Sequence, residues 1–155
     1  MKKLICGMLA VLLVLAGTAC EKQSEQEAPF PADATTRTLL DSGAFSEPLE
    51  ELELDIALMM FWLDGDAAEY AGSKVYCSTG ATSEIVAVIQ VADGSKVPQV
   101  EQALKAWVDN QIEAETDYRP VEVPKLMNAI LVTRGNTVLL AVAADRERVE
   151  AVLSE

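Results

Sequence analysis

Histidine is missing from all 155 residues. Its absence excludes Ser-His-Asp and Cys-His catalysis, imidazole ligation of zinc and an imidazole proton shuttle near neutral pH. Positive charge is scarce too, with 12 Lys and Arg against 25 Asp and Glu and a formal net charge of −13. The few cations are scattered along the chain, and a body of this charge repels phosphate backbones, so nucleic acid is excluded as a partner. Three cysteines are too few for a disulfide framework. The length suits one compact domain and not two. No apolar run is long enough for a membrane span: the longest, from Leu4, covers about 16 residues against the roughly 20 that a spanning helix needs.

What is present begins with an address. Lys2 and Lys3 precede the apolar stretch Leu4 to Ala16, which gives way to the small residues Gly17, Thr18 and Ala19. This is the layout of a signal peptide covering residues 1–19. The stretch Leu15-Ala16-Gly17-Thr18-Ala19-Cys20 resembles a bacterial lipobox, in which the cysteine receives a diacylglyceryl group and becomes the new N-terminus. Gly17 and Ala19 would also suit ordinary cleavage. The polar tail from Glu21 to Ala34, with Pro29 and Pro31 and no apolar periodicity, reads as a flexible tether over residues 20–34 and favours lipidation of Cys20. Two acyl chains on one cysteine suffice for a stable membrane anchor. Cleavage leaves 10 basic against 25 acidic residues, a charge of about −15, and only Cys20 and Cys77. Cys77 lies in the strand-like run Lys74 to Ser78 and is expected to be buried as a small hydrophobe.

A single domain is expected over 35–155. Thr35 to Leu40 reads as a short helix ended by Asp41 to Gly43, and apolar periodicity starts only near Leu49, so a chain beginning at about Pro48 is expected to fold without the preceding segment. Ile56 to Leu63 is apolar on all sides and reads as a buried helix. Val75 with Cys77, and the β-branched run Ile85 to Val91, read as two paired strands. Val97, Val100, Leu104, Trp107, Val108 and Ile112 form an amphipathic stripe at spacings of 3, 4, 3, 1 and 4, with Glu101 and Lys105 placed to pair on the other face. Pro120 and Pro124 mark an irregular crossing. Ala129 to Thr133 and Thr137 to Ala143 form a hairpin through Arg134-Gly135-Asn136, and Asp145 caps a last helix with Val149, Val152 and Leu153 on its apolar side. The order strand, strand, helix, strand, strand, helix suggests a duplicated ββα unit. The expected fold is an α+β two-layer sandwich: a four-stranded, mainly antiparallel sheet with its helices on one face and an extra N-terminal helical segment.

From Glu69 onward the chain resembles a family of small uncharacterised bacterial lipoproteins, a domain of unknown function common in Gram-positive bacteria. The residues that carry the likeness are Glu69-Tyr70, Val75-Tyr76, Ser83-Glu84-Ile85-Val86-Ala87-Val88, Asn110-Gln111, Asp117-Tyr118, Pro124-Lys125-Leu126 with Asn128-Ala129, and Arg134-Gly135-Asn136. Where members often show Tyr-Gly-Ile-Asp, this chain has Phe61-Trp62-Leu63-Asp64. The likeness implies a lipid-anchored protein on the outer face of the membrane and carries over no catalytic or ligand residue.

Three stretches invite chemistry. Asp64, Asp66 and Glu69 around Gly65 faintly resemble a calcium loop but lack the remaining ligands, so a solvated, capping turn is expected. The hydroxyl-rich turn Ser78 to Ser83 could face an anion but has no following lysine, so it reads as a hairpin turn. Glu84, Tyr118 and Lys125 could meet as acid, phenol and base, although their spacing does not require it. No catalytic, cofactor-binding or metal-ligating residue is assigned, and no cofactor is implied; the one functional residue assigned is Cys20. The expected function is a membrane-anchored, non-catalytic module that binds a protein or a small molecule. The alternative is a histidine-free surface hydrolase or transferase working through carboxylates.

Overall fold

The run Ile85-Val86-Ala87-Val88-Ile89 has no polar residue to turn toward water, and each of the five is buried. A strand apolar on both sides needs cover on both faces, and that requirement organises the molecule. A computed structural model describes residues 27–154. The expected signal peptide, Cys20 and the first part of the expected tether lie outside the described residues.

The elements run α1 (Ala32–Asp41), β1 (Glu50–Glu51), α2 (Leu54–Met60), β2 (Lys74–Cys77), β3 (Ile85–Gln90), α3 (Val97–Tyr118), α4 (Val123–Met127), β4 (Ile130–Arg134), β5 (Thr137–Val142) and α5 (Arg146–Leu153). Short 3-10 turns stand at Ala67–Tyr70 and Gly94–Lys96. One antiparallel sheet holds all five strands in the order β1-β2-β3-β5-β4. The expected four strands are therefore five. The added edge strand pairs Glu50 with Cys77 and Glu51 with Tyr76, and two exposed glutamates carry no apolar pattern that would reveal it.

Helices cover both faces, which corrects the expected two-layer arrangement. One core joins Ile85, Ala87, Ile89, Val138, Leu140 and Val142 to α3 through Val100, Leu104 and Trp107, and to α2 through Ala57, Leu58 and Phe61. Phe61 meets Trp107 edge to face, with ring centroids 5.6 Å apart. The other core joins Val86, Val88, Leu139 and Ala141 to Phe30, Leu39, Ala44 and Val149, from α1, α5 and their flanks. Packed chain thus begins at Phe30, and the expected tether boundary at Ala34 falls inside α1. The expected ββα duplication fails for the same reason: α3 follows β3 onto one face, and α5 follows β5 onto the other.

The amphipathic stripe forms α3 as expected, with Pro98 in its first turn and Arg119 and Pro120 ending it. Lys105 pairs with Asp109 at 2.7 Å instead of Glu101. The stretch expected to cross irregularly contains the short α4. Gly135, at φ 53, and Asn136 form the two-residue turn between the paired Arg134 and Thr137, and the Asp145 side chain caps α5 by accepting from the Arg148 amide. α2 is not buried all round, since Ile56, Met59 and Trp62 face outward.

Candidate functional site

At the start of β3 the chain places Ser83 and Glu84 beneath the chain reversal that joins α3 to α4. The last turn of α3 supplies Glu115, Arg119 follows it, and Glu122 and Lys125 come from the start of α4. Three carboxylates, those of Glu84, Glu115 and Glu122, are buried here. Burying a carboxylate is costly unless partners replace its water, and each of these has them. Glu84 accepts from the Ser46 amide at 2.9 Å and the Ser46 hydroxyl at 2.8 Å, and its Oε1 lies 3.1 Å from Lys125 Nζ. Glu122 lies 3.1 Å from the same ammonium and accepts from the Ser83 amide at 2.9 Å. Glu115 accepts from Arg119 Nε at 2.9 Å and from the Ser83 hydroxyl at 3.3 Å, while Arg119 also donates to the Gly80 carbonyl at 2.9 Å.

Of the three residues weighed as acid, phenol and base, the fold brings together Glu84 and Lys125 and leaves Tyr118 outside, 79% exposed. Burial alone would pull the Lys125 pKa down, but its bonds to Glu122 and Glu84 outweigh burial and hold it above the usual lysine value. Such a lysine is protonated at neutral pH, the wrong state for a general base. The Arg119 guanidinium holds the Glu115 carboxyl below the usual glutamate range. Chemically the arrangement is a set of saturated ion pairs tying the segment around Ser46, the β3 entrance and α4 to one another. A cleft of about 430 Å³, lined by Leu40, Phe45, Ser46, Glu47, Pro48 and Leu49, reaches its rim at Ser46.

The hydroxyl-rich turn does hold an anion, and the anion is the chain's own. Ser78 and Thr82 donate their hydroxyls to Glu47 Oε1 at 2.5 and 2.9 Å, and these bonds lower the Glu47 pKa. The amides of Gly80 and Thr82 go to Ser78 Oγ, so the turn is closed locally. In the acidic turn Asp66 accepts from the Ala68 amide at 2.9 Å and shares a capping box with Glu69, which in turn is paired with Lys96. Among the described residues no group of three or more acidic or cysteine side chains is placed to hold a metal ion. No described helix is long and apolar enough to cross a membrane. Cys77 is half-buried against the α3-side core, where burial and then Glu50 push its thiol up, away from the reactive thiolate.

Sequence reading missed Ser46, Glu115, Arg119 and Glu122, and named Ser83 only as the end of the hydroxyl-rich turn. One local signal was available: Glu115 and Arg119 stand four apart just before Pro120, the spacing of a helical ion pair at a chain reversal. Ser46 had none, because it meets Glu84 across 38 positions.

Fold and network together define a small α+β domain with one antiparallel sheet and a buried cluster of three carboxylates held by two cations. The chain belongs to the DUF4358 family, described as a domain of unknown function, which matches residues 50–143. That range begins before Glu69, so it takes in β1 and α2, and it stops short of α5. No curated protein and no solved structure matches the chain.

Proposed function

We propose that the chain is a bacterial lipoprotein, held on the outer face of the cell membrane by lipid on Cys20, whose domain is a non-catalytic binding or interaction module. The observation that carries the non-catalytic reading is the closure of the Glu84 and Lys125 pair. Glu84 is 1% exposed and its oxygens are occupied by Ser46 and Lys125, whose ammonium Glu122 shares. A catalytic acid or base must reach a substrate proton, and these groups reach one another. Cys20 within its lipobox-like sequence, after a signal-peptide layout, supports the anchor. Residues 1–19 would then be removed, and what precedes Phe30 would serve as the tether. The charge of about −15 left after that removal, 10 basic against 25 acidic residues, disfavours anionic headgroups and polyanions and favours proteins, or neutral and cationic small molecules, as ligands.

Metabolic labelling with a fatty acid tests the anchor: label is expected on the wild-type chain and absent from Cys20→Ser, which should leave the membrane fraction. Labelling that survives the substitution overturns it. The non-catalytic reading is tested on panels of hydrolase and transferase substrates. No turnover is expected above that of Glu84→Gln and Lys125→Ala, each checked for folding by circular dichroism. Turnover lost in both folded variants would establish an enzyme working through this pair.

A further inference from the structure

We propose that the exposed apolar patch formed by Ile56 and Met59 of α2 and Trp62 just past its end docks a basic segment of a partner protein that carries apolar side chains among its lysines and arginines. The proposal rests on the binding-module reading and gives that module its surface and the chemistry of its partner.

Ile56 and Met59 stand about one turn apart on α2, and Trp62 follows just past the helix end, while Ala57, Leu58 and Phe61 enter the core. They are 49%, 70% and 59% exposed, respectively. Large aromatic and methionine side chains are over-represented at protein interfaces, and a tryptophan is the commonest kind of anchor there. Trp62 is also the one described non-glycine residue at positive φ, at 53°. It sits where α2 closes, with the Leu63 amide bonded back to the Leu58 carbonyl at 2.9 Å and Leu63 buried. Glycine is the usual residue at such a helix end, because a Cβ is disfavoured there. This chain instead holds a tryptophan in the disfavoured conformation and leaves most of it in water, so the side chain does little for the fold at that position.

Charge selects the occupant. Between Arg37 and Lys74 the chain has nine acidic residues and no basic one. Glu50, Glu53, Asp55, Asp64 and Asp66 flank the apolar stripe in sequence and are exposed, and none forms an ion pair among the described residues. Beside the first turn of α2 a cleft of about 240 Å³ is lined by Glu51, Glu53, Leu54 and Lys74, with Glu51 paired to Lys74 and Glu53 free to receive a cation. A second copy of the chain would bring the same acids against each other, and an anionic membrane would meet the same repulsion. A basic segment with apolar anchors satisfies both the stripe and its rim.

The test uses the full lipidated chain in zwitterionic nanodiscs and fluorescence anisotropy of three dye-labelled peptides: lysine with leucine, lysine with glycine, and glutamate with leucine. The lysine-leucine peptide is expected to bind, and the other two at least about tenfold more weakly. Trp62→Gly suits the backbone and keeps the fold intact, and it should weaken binding at least about tenfold. Met59→Ser should act in the same direction. Absence of binding, equal binding of the lysine-glycine peptide, or binding unchanged in Trp62→Gly overturns the proposal. So does a Trp62-dependent cross-link between two copies, or Trp62-dependent capture of phosphatidylglycerol vesicles, that outcompetes the peptide. Any of these leaves the binding-module reading standing, whereas turnover lost in Lys125→Ala removes that reading whatever the peptide does.

Discussion

The two faces of the sheet are closed by different kinds of chain. One is covered by α2, α3 and α4, all inside residues 50–143, and its main element is a helix of 22 residues with a continuous apolar stripe. The other is covered by α1 and α5, of only 10 and 8 residues and both outside that range. Yet β3 and β5 are buried on both sides, so the second face needs cover as much as the first. The family-matched stretch is therefore smaller than the packing unit, and the flanking helices complete a core that it leaves open.

Truncation breaks this comparison most severely. A chain starting at Pro48, expected from apolar periodicity to fold alone, in fact loses Phe30, Leu39 and Ala44 from the core and uncovers Val86, Val88, Leu139 and Ala141, which reverses that expectation. At about 1.5–3 kcal/mol for each large side chain returned to water, the loss should reach about 5 kcal/mol, comparable with the whole stability of a small domain. Urea denaturation followed by circular dichroism should show loss of the cooperative transition. A cooperative transition with an unchanged midpoint would mean that α5 alone closes this face.

Single truncations sharpen the contrast between the faces. Trp107→Ala removes a ring that is 7% exposed and packed on Phe61, and should cost about 3–5 kcal/mol. Leu39→Ala, fully buried in the last turn of α1, should cost about 2–3 kcal/mol, because this short helix can settle into part of the space left. Both are read from the midpoint of urea unfolding. An equal or larger loss for Leu39 would show that the two faces are equally rigid.

The same contrast explains what was legible from residues alone. α3 could be read from its spacing, and the β4–β5 turn from Gly135-Asn136, because each carries its signal within a few positions. α1 could be read as a helix from Thr35, but not as a cover, since Ala32, Thr36 and Leu39 are a thin stripe in a polar sequence. The unbroken apolar run of β3 did state that both faces are covered, and a two-layer sandwich contradicts it. In the charge cluster, Glu84 and Lys125 were named, but their meeting depends on the α3–α4 reversal, and Ser46 reaches Glu84 from a distant part of the chain.

The smallest effect separates the apolar faces from the polar end that links them. Glu115 is held below the usual glutamate pKa by Arg119, so folding favours its ionised form. A carboxylate with a depressed folded pKa contributes stability that is fully present above its unfolded pKa and is lost as pH falls through the folded value. Arg119 is partly open to solvent, which screens the pair and keeps the contribution modest. Glu115→Gln is thus expected to lower the urea midpoint slightly at neutral pH, and the gap from wild type should close as pH drops below the usual glutamate range, where the wild-type carboxyl takes up a proton. Leu39→Ala involves no titrating group, so its deficit should persist across the same range. Parallel urea titrations from neutral to acid pH make the comparison. A Glu115→Gln deficit that stayed constant down to the lowest pH would assign the residue a packing role like that of Leu39, and would remove the distinction between an apolar closure of the faces and an ionic closure of the end.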